Sequence, residues 1–219
     1  MKVCTDTLLF GASLPIMGGE SVIDIGAGTG ILSLMAIQQG ARHATAVELT
    51  PEAASDCREN FLNSPWANQL CCIEGDIQSF NPSQRYDRVI SNPPFFFKQQ
   101  KSTNQLRRTA RHDDRLSFAE LLIAADQLMT DSGILCLLLP YYERDNICCL
   151  ANEFGLQLDR LITLRSRASS AIKLAIFWFS RSSDKTLSES EIVVYDAYNQ
   201  YTAQSSHYLK NYLLRFRHC

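Results

Sequence analysis

Several features that would assign this chain to a large protein class are missing from its sequence. None of its apolar runs reaches the roughly 18–20 residues that a membrane-spanning helix requires, and no signal-peptide pattern precedes the first predicted strand. The sequence also contains no Ser/His/Asp triad pattern, no metal-ligand spacing and no phosphate-binding P-loop. We therefore expect a cytoplasmic protein that uses neither a membrane anchor nor a metal ion.

A disulfide framework is not indicated either, although the chain contains eight cysteines. They include the vicinal pairs Cys71-Cys72 and Cys148-Cys149 but no Cys-x-x-Cys, the spacing typical of zinc sites and redox motifs. Cys71, Cys72 and Cys136 lie within apolar, strand-like runs. We predict reduced and mostly buried thiols, as is usual in the cytosol.

The chain has no excess of basic residues. Its formal net charge is −2 and its pI about 6.1, whereas a dedicated nucleic-acid-binding domain is usually strongly basic. A nucleic-acid partner would therefore have to be held by a local basic patch. The length of 219 residues is sufficient for one domain, 1–219, that ends in a small appendage over 182–219. We expect this domain to act as a monomer.

What the sequence does contain is an alternation of predicted strands and helices. Apolar runs bounded by glycine, proline and polar residues predict seven strands, at 21–25, 44–48, 69–77, 86–91, 133–140, 156–164 and 171–180. Helical spacing of apolar residues predicts helices at 31–38, 51–60, 117–129, 143–154 and 205–214. This order predicts an α/β fold with a doubly wound, mostly parallel, Rossmann-like sheet, which binds ligands at the carboxyl ends of its strands.

A glycine-rich turn joins the first predicted strand to the first helix of this alternation. Gly26, Gly28 and Gly30 allow a tight turn and let a ligand approach the backbone, because glycine has no Cβ. The spacing is Gly-x-Gly-x-Gly, and Ile31 occupies the third glycine position of the dinucleotide fingerprint. The turn therefore favours a nucleotide-like ligand but argues against the pyrophosphate of NAD or FAD.

Acidic residues end the second and third predicted strands. Glu48 follows Gly28 at about the 20-residue spacing at which a carboxylate reaches ribose hydroxyls. Asp76 could accept a hydrogen bond from an adenine amino group, and Ile77 could pack on the ring. The alternatives are a solvated strand end for Glu48 and a helix N-cap for Asp76.

The fourth predicted strand runs into Asn92-Pro93-Pro94-Phe95. Proline has no backbone N–H and restricts the residue before it, so the sheet must stop at Asn92. The Asn92 side-chain oxygen and the Pro93 carbonyl could accept both hydrogens of an exocyclic amine, while Phe95 stacks on the ring that bears it. The alternative is a simple turn after a strand.

A basic stretch of about twenty residues follows this corner. A loop of this length within a compact domain is usually functional. We expect it to contact RNA phosphates, together with a second basic segment; the alternative is a solvated surface loop. The candidate RNA-binding residues are Lys98, Lys101, Arg107, Arg108, Arg111, Arg165, Arg167 and Lys173.

Together these motifs resemble those of S-adenosylmethionine (SAM)-dependent amino-methyltransferases: Asp24-Ile-Gly-Ala-Gly-Thr-Gly30, Glu48, Asp76-Ile77 and Asn92-Pro-Pro-Phe95. The segment 1–12, MKVCTDTLLFGA, is similar to the one that precedes the glycine turn in the bacterial tRNA(Val) (adenine(37)-N6)-methyltransferase family. The stretch 64–66 and the tail around Tyr201 and Tyr212 are also similar to that family. Its corner more often ends in tyrosine, so Phe95 keeps the ring but lacks the hydroxyl.

The resemblance implies SAM as the cofactor and a role for each residue. Segment 1–20 would border the cofactor pocket, Glu48 would bind the ribose, and Asp76 and Ile77 would bind the adenine. The full set implied for the cofactor is Thr5, Asp6, Asp24, Gly26, Gly28, Gly30, Glu48, Asp76, Ile77 and Asn92. The implied catalytic residues, which hold the target base, are Asn92, Pro93 and Phe95.

The activity that the resemblance implies is methyl transfer to the exocyclic N6 of an adenine in tRNA, at the adenosine 3′ of the anticodon of a valine tRNA. The same corner also resembles that of ribosomal-RNA guanine-N2 and adenine-N6 methyltransferases. A protein glutamine-N5 methyltransferase could use it too, because a side-chain amide presents the same NH2 group. A non-catalytic, cofactor-binding RNA module is a further alternative, which any turnover would exclude. An NAD oxidoreductase is another, but it leaves the Asn-Pro-Pro corner unexplained.

Overall fold

The protein is described by a computed structural model over residues 4–94, 116–181 and 186–216. Its six helices in this part of the chain are α1 Thr5–Ala12, α2 Ile31–Gln38, α3 Pro51–Leu62, α4 Phe118–Leu128, α5 Arg144–Glu153 and α6 Ala203–Leu209. Its eight strands there are β1 Ser21–Ile25, β2 His43–Glu48, β3 Leu70–Glu74, β4 Tyr86–Ser91, β5 Met129–Pro140, β6 Gln157–Arg165, β7 Leu174–Ser180 and β8 Ser188–Val193.

All eight strands belong to one mixed sheet in the order β3-β2-β1-β4-β5-β7-β6-β8. The first five strands pair in parallel with one another, as the alternation of strands and helices predicts. The strand β7 is antiparallel to both β5 and β6, and β8 runs parallel to β6. The predicted doubly wound, mostly parallel α/β fold is confirmed.

The predicted number of seven strands is wrong, because β8 adds an eighth. This strand begins in a polar, serine-rich stretch, and four of its six residues are exposed. It is an edge strand whose backbone pairs with β6 from Arg160–Ser188 to Arg165–Val193. Such pairing needs no apolar face of its own, so hydrophobic periodicity does not detect it. The first element of the predicted appendage is thus part of the sheet.

Two other predicted boundaries differ for local reasons. The strand β3 ends at Glu74 because the next residue, Gly75, donates its N–H to the Glu48 carbonyl and the chain turns away. The helix α6 begins two residues earlier than expected, because the Thr202 side chain accepts a hydrogen bond from the N–H of Ser205 and caps it. At α4 the Ser117–Glu120 capping box sets the start of the helix.

Helices cover both faces of the sheet and enclose separate apolar clusters. On one face α4 and α5 pack over residues that include Val89, Leu137 and Phe177. On the other face α1, α2 and α6 pack over residues that include Ile90 and Ile162. A smaller cluster joins α3 to β2. This double cover leaves the ends of the strands as the surface where side chains from many elements can meet.

The prediction that the thiols are mostly buried is wrong. Of the seven cysteines that the structure describes, all are free, but only Cys57 and Cys136 are buried. Cys71 is exposed because β3 is an edge strand with one face left open, so an apolar-looking run there does not imply burial.

Candidate functional site

The carboxyl ends of β1, β2 and β4 lie side by side and bring three predicted motifs together. In the strand register, Ile25 is paired with both Val47 and Ser91. The glycine turn that follows Ile25, the acid that follows Val47 and the amide that follows Ser91 therefore leave the sheet at the same level. The sequence predicts this juxtaposition, because parallel strands end at a common edge.

The three glycines of the turn all have positive φ angles, of 69° at Gly26, 56° at Gly28 and 79° at Gly30. A Cβ at Gly26 would meet nothing within 4 Å, so the backbone there is open to a ligand. At Gly30 a Cβ would lie 2.5 Å from a ring carbon of Phe61 and 2.7 Å from Cys57 Sγ. The first glycine thus leaves room for a ligand, and the last one lets α3 pack against the turn.

Glu48 holds the glycine turn in place. Its Oε2 accepts a hydrogen bond from the Gly28 N–H at 2.8 Å, and its Oε1 accepts one from the Thr50 N–H at 2.9 Å. The side chain is buried, at 8% exposure, so these bonds order both the turn and the start of α3. Each carboxylate oxygen has a further lone pair, which remains able to accept a hydrogen bond from a ribose hydroxyl.

Asp24 carries a buried acceptor beside this turn. Its Oδ2 accepts a hydrogen bond from Ser33 Oγ at 2.9 Å, while its Oδ1 has no partner among the described residues. Burial raises the pKa of this carboxyl to about 7, against the weaker opposing effect of Ser33. An unpaired buried oxygen next to an open glycine turn fits the amino group of a cofactor. Sequence reasoning missed Ser33, a polar residue on the buried side of α2.

Asp76 and Ile77 both have structural roles, and that of Asp76 is the N-cap considered above as its alternative. Asp76 Oδ1 accepts a hydrogen bond from the Gln78 N–H at 2.9 Å and caps a short 3-10 turn at Ile77–Ser79. The Ile77 side chain is buried in the core cluster that also contains Val47. Both residues nevertheless follow β3 at the ligand-binding edge of the sheet, so their predicted contact with adenine remains a prediction.

The Asn92 amide is held by a residue that the sequence did not point to. Asn92 Nδ2 donates a hydrogen bond to Thr7 Oγ1 at 3.1 Å, and Cys4 Sγ lies 3.0 Å from the same oxygen. Ser91 is anchored by a 2.8 Å bond from its hydroxyl to the Ile25 carbonyl. With Nδ2 engaged, Asn92 Oδ1 is left as an acceptor, and Pro93 follows directly in the chain.

Asn92 also lines a cleft of about 480 Å³ on the β5–β8 side of β4. The other residues that line this cleft are Cys4, Thr5, Asp6, Leu138, Leu164, Ser166, Lys173, Leu174, Val194 and Tyr195. The structure brings Thr5 and Asp6 to this cleft beside Asn92, and their predicted contact with the cofactor remains a prediction. Burial raises the pKa of the Asp6 carboxyl. Asn92 is the predicted site residue that belongs to both neighbourhoods.

Residues far apart in the chain close the outer wall of the cleft. The Thr5 hydroxyl lies 3.3 Å from the hydroxyl groups of both Tyr195 and Tyr201. The two tyrosine rings stack, with their centroids 5.1 Å apart. The first helix and the C-terminal segment are therefore joined at the cleft, a contact that no local pattern in the sequence indicates.

Two negative findings apply to the described ranges only. Within 4–94, 116–181 and 186–216, no three or more His, Cys, Asp or Glu side chains group as metal ligands would. None of the helices assigned there is both long and apolar enough to cross a membrane.

Comparison with known proteins decides the family. Residues 3–136 match the family model of the methyltransferase small domain, which is more than half of the chain. A tRNA1(Val) (adenine(37)-N6)-methyltransferase of Flavobacterium psychrophilum is 38% identical over 198 residues, covering 89% of this chain and 84% of that protein. The protein of the same name from Shewanella sp. strain MR-4 is 34% identical, covering 98% and 93%.

The chain belongs to the tRNA1(Val) (adenine(37)-N6)-methyltransferase family.

Solved structures agree with this membership at the level of the fold. PH1948 of Pyrococcus horikoshii, a candidate RNA methyltransferase, is 26% identical with a TM-score of 0.59, over 83% of each chain. The glycopeptide N-methyltransferase MtfA, solved with SAM, is 13% identical with a TM-score of 0.60, over 82% of this chain and 87% of its own. The adenine-N6-methyltransferase family member described here therefore has the fold of class I methyltransferases.

In this member of the tRNA1(Val) (adenine(37)-N6)-methyltransferase family, the described basic candidates differ in their surroundings. Lys173 lines the cleft. Arg165 donates to Glu191 at 2.9 Å and to the Ser170 carbonyl, while Arg167 donates to Asn199 Oδ1. Both arginines are thus engaged within the chain. The remaining predicted site residues, Phe95, Lys98, Lys101, Arg107, Arg108 and Arg111, lie outside the described residues.

Proposed function

We propose that this protein transfers the methyl group of SAM to the exocyclic N6 of an adenine in tRNA, at the adenosine 3′ of the anticodon of a valine tRNA. The names of its relatives support the activity and the substrate. The observation that carries the proposal in this chain is the Asn92 corner. Asn92 follows β4 at the level of the glycine turn and lines the cleft, and its amide nitrogen is bonded to Thr7.

The chemical problem is that an aryl amine is a poor nucleophile, because its lone pair is delocalised into the ring. Asn92 Oδ1 and the Pro93 carbonyl are proposed to accept the two N–H hydrogens of the amine. This hydrogen bonding directs the nitrogen lone pair out of the ring and toward the methyl donor. Catalysis then depends on positioning and on preorganised acceptors rather than on a metal or a strong base.

The residues around the glycine turn fit SAM. When bound, SAM supplies a methyl group made electrophilic by its positively charged sulfur. We assign the backbone of Gly26 and Gly28 and the free Asp24 oxygen to its methionine part, and Glu48 to its ribose. Asp76 and Ile77, at the end of the neighbouring strand, are assigned to its adenine.

We assign the cleft to the target base. An adenine stacked in an anticodon loop must leave its neighbours before it can enter an active site. The apolar side chains of Leu138, Leu164 and Leu174 line the cleft for the base, and Lys173 supplies a cation for its phosphate. Phe95 is proposed to stack on the base. The basic residues that follow it are proposed to bind the phosphate backbone of the tRNA, and the reaction is proposed to take place in the cytoplasm.

Methylation of total RNA, and in parallel of protein extract, from a strain that lacks this protein tests the activity. With tritiated SAM, we expect label in N6-methyladenosine of a valine tRNA. Label in ribosomal N2-methylguanosine, or in a glutamine of a protein, would support the corresponding alternative and contradict the proposal. Mapping the labelled nucleoside by mass spectrometry separates these outcomes.

Replacing the proposed acceptor tests the mechanism. Asn92→Ala should lower methyl transfer by about a hundredfold or more, the size expected when a preorganised polar group at a reacting centre is lost. SAM affinity, measured by calorimetry, should stay near the wild-type value. Asn146→Ala is the matched control, because Asn146 on α5 also carries an amide that donates one 2.9 Å bond, to the Glu143 carboxylate just before the helix. An active Asn92→Ala enzyme would refute the proposed role.

A further inference from the structure

The orientation of the Asn92 amide is the one degree of freedom that the corner itself does not fix. Ser91 is tied to Ile25, and two prolines stiffen the backbone that follows. Rotation of the terminal amide by half a turn would still exchange its oxygen for its NH2 group. In that orientation the side chain would present donors, not an acceptor, to an incoming amine.

The Thr7 hydroxyl is the group that the Asn92 amide nitrogen contacts. It lies 3.1 Å from Asn92 Nδ2, and Thr7 itself is only 9% exposed. The same oxygen lies 3.0 Å from Cys4 Sγ, so it can donate its proton to the sulfur while it accepts from the amide. The Asn92 Nδ2–Thr7 Oγ1 bond has the amide as its donor, so Asn92 Oδ1 is left as an acceptor.

We infer that Thr7 is a positioning residue that keeps the Asn92 amide oxygen turned toward the acceptor amine. This inference rests on the proposed function, because it assigns Thr7 an effect only on the step that uses Asn92 Oδ1. Thr7 acts through Asn92 and is not assigned a contact with SAM. Its removal should therefore change the rate of methyl transfer and leave SAM binding as it is.

The test replaces the hydroxyl at constant shape and then restores it. Thr7→Val removes the oxygen with little change in volume, and Thr7→Ala removes it without a branched side chain. We expect either to lower kcat by about tenfold, the effect of one lost hydrogen bond in the transition state. The Kd for SAM should stay within about twofold of wild type, and Thr7→Ser should recover most of the rate.

Thr45→Val is the matched control. Thr45 is a similarly buried threonine, 7% exposed, whose hydroxyl accepts a bond from Tyr86 at 3.2 Å within the sheet. It shares the loss of a buried hydroxyl with Thr7→Val but has no contact with Asn92. We expect its kcat to match wild type, whatever change it causes in the melting temperature.

The possible results separate the two proposals. If wild-type protein does not methylate tRNA, the proposed function fails before Thr7 is tested. If wild type is active and both Thr7→Val and Thr7→Ala are equally active, the inference about Thr7 is wrong. Loss of activity that follows loss of folded structure or of SAM affinity, or that Thr7→Ser does not reverse, would assign Thr7 to packing and also overturn the inference.

Discussion

At the scale of the residue, Asp24 shows how burial in a binding site disfavours the charged form of a carboxyl group. Its side chain is fully buried in β1, one oxygen is unpaired among the described residues, and burial raises its pKa from 3.8 to about 7. The nearby carboxylate of Glu48 acts in the same direction. The native state without cofactor therefore holds the proton of Asp24 more tightly than the unfolded chain does.

This difference predicts how the free energy of unfolding depends on pH. The stability associated with protonated Asp24 is fully present below about pH 4 and is lost as the pH rises through about 7. Without SAM, wild type should lose on the order of 4 kcal/mol across this window relative to Asp24→Asn, which cannot ionise. Urea unfolding of both proteins at a series of pH values measures the difference, and parallel curves would contradict the prediction.

At the scale of the element, the glycine turn has to satisfy a ligand on one side and a helix on the other. Glu48 fixes the turn through Gly28, while α3 presses Phe61 and Cys57 against Gly30. The two demands explain why glycine recurs within a few residues. They also separate the first glycine, which leaves room for a ligand, from the last, which is needed for the approach of α3.

Gly30→Ala should therefore lower the free energy of unfolding, because Gly30 is needed for the packing of α3. A Cβ there would lie 2.5 Å from a Phe61 ring carbon, at a φ of 79° that disfavours any other residue. Together, the backbone strain and the overpacking should cost about 2–5 kcal/mol in the free energy of unfolding. Gly75→Ala is the control, because its Cβ would meet nothing within 4 Å and should change stability by less than about 0.5 kcal/mol. Equal stabilities for the two variants in urea would argue against this account.

At the scale of the whole molecule, charge poses a problem for a protein proposed to bind tRNA. The formal net charge of −2 gives no general attraction for a polyanion. Of the eight basic candidates, Arg165 and Arg167 are already engaged within the chain, and Lys173 lines the cleft. We therefore expect binding to depend on the basic stretch that follows the Asn92 corner in sequence.

Charge reversal in that stretch should weaken tRNA binding and reduce its dependence on salt. Each phosphate contact contributes about 0.9 to the slope of log K against log salt for a duplex. Arg107→Glu combined with Arg108→Glu should therefore lower that slope by about 1–2, with SAM affinity unchanged. Arg85→Glu is the control, since Arg85 precedes β4 at the opposite end of the strand from Asn92. Filter binding over a range of salt concentrations tests this, and an unchanged slope would exclude both arginines from the RNA interface.

Some of this arrangement follows from the sequence because the signals are local. Apolar runs and glycine and proline positions predict the alternation of β1 to β5 with helices, and the two prolines end β4 at Asn92. Once the strands are parallel, Gly26, Glu48 and Asn92 must leave the sheet at one edge. Here the covalent chain and its periodicity are sufficient.

The remaining features depend on groups that are distant in the chain, and only the tertiary structure decided them. Thr7 reaches Asn92 and Thr5 reaches Tyr195 and Tyr201 because α1 and the C-terminal segment pack on the same face of the sheet. The polar strand β8 forms because the backbone of β6 is available to pair with it. Local patterns cannot encode such contacts, since a hydroxyl or an exposed strand has no preference for a partner until the fold presents one.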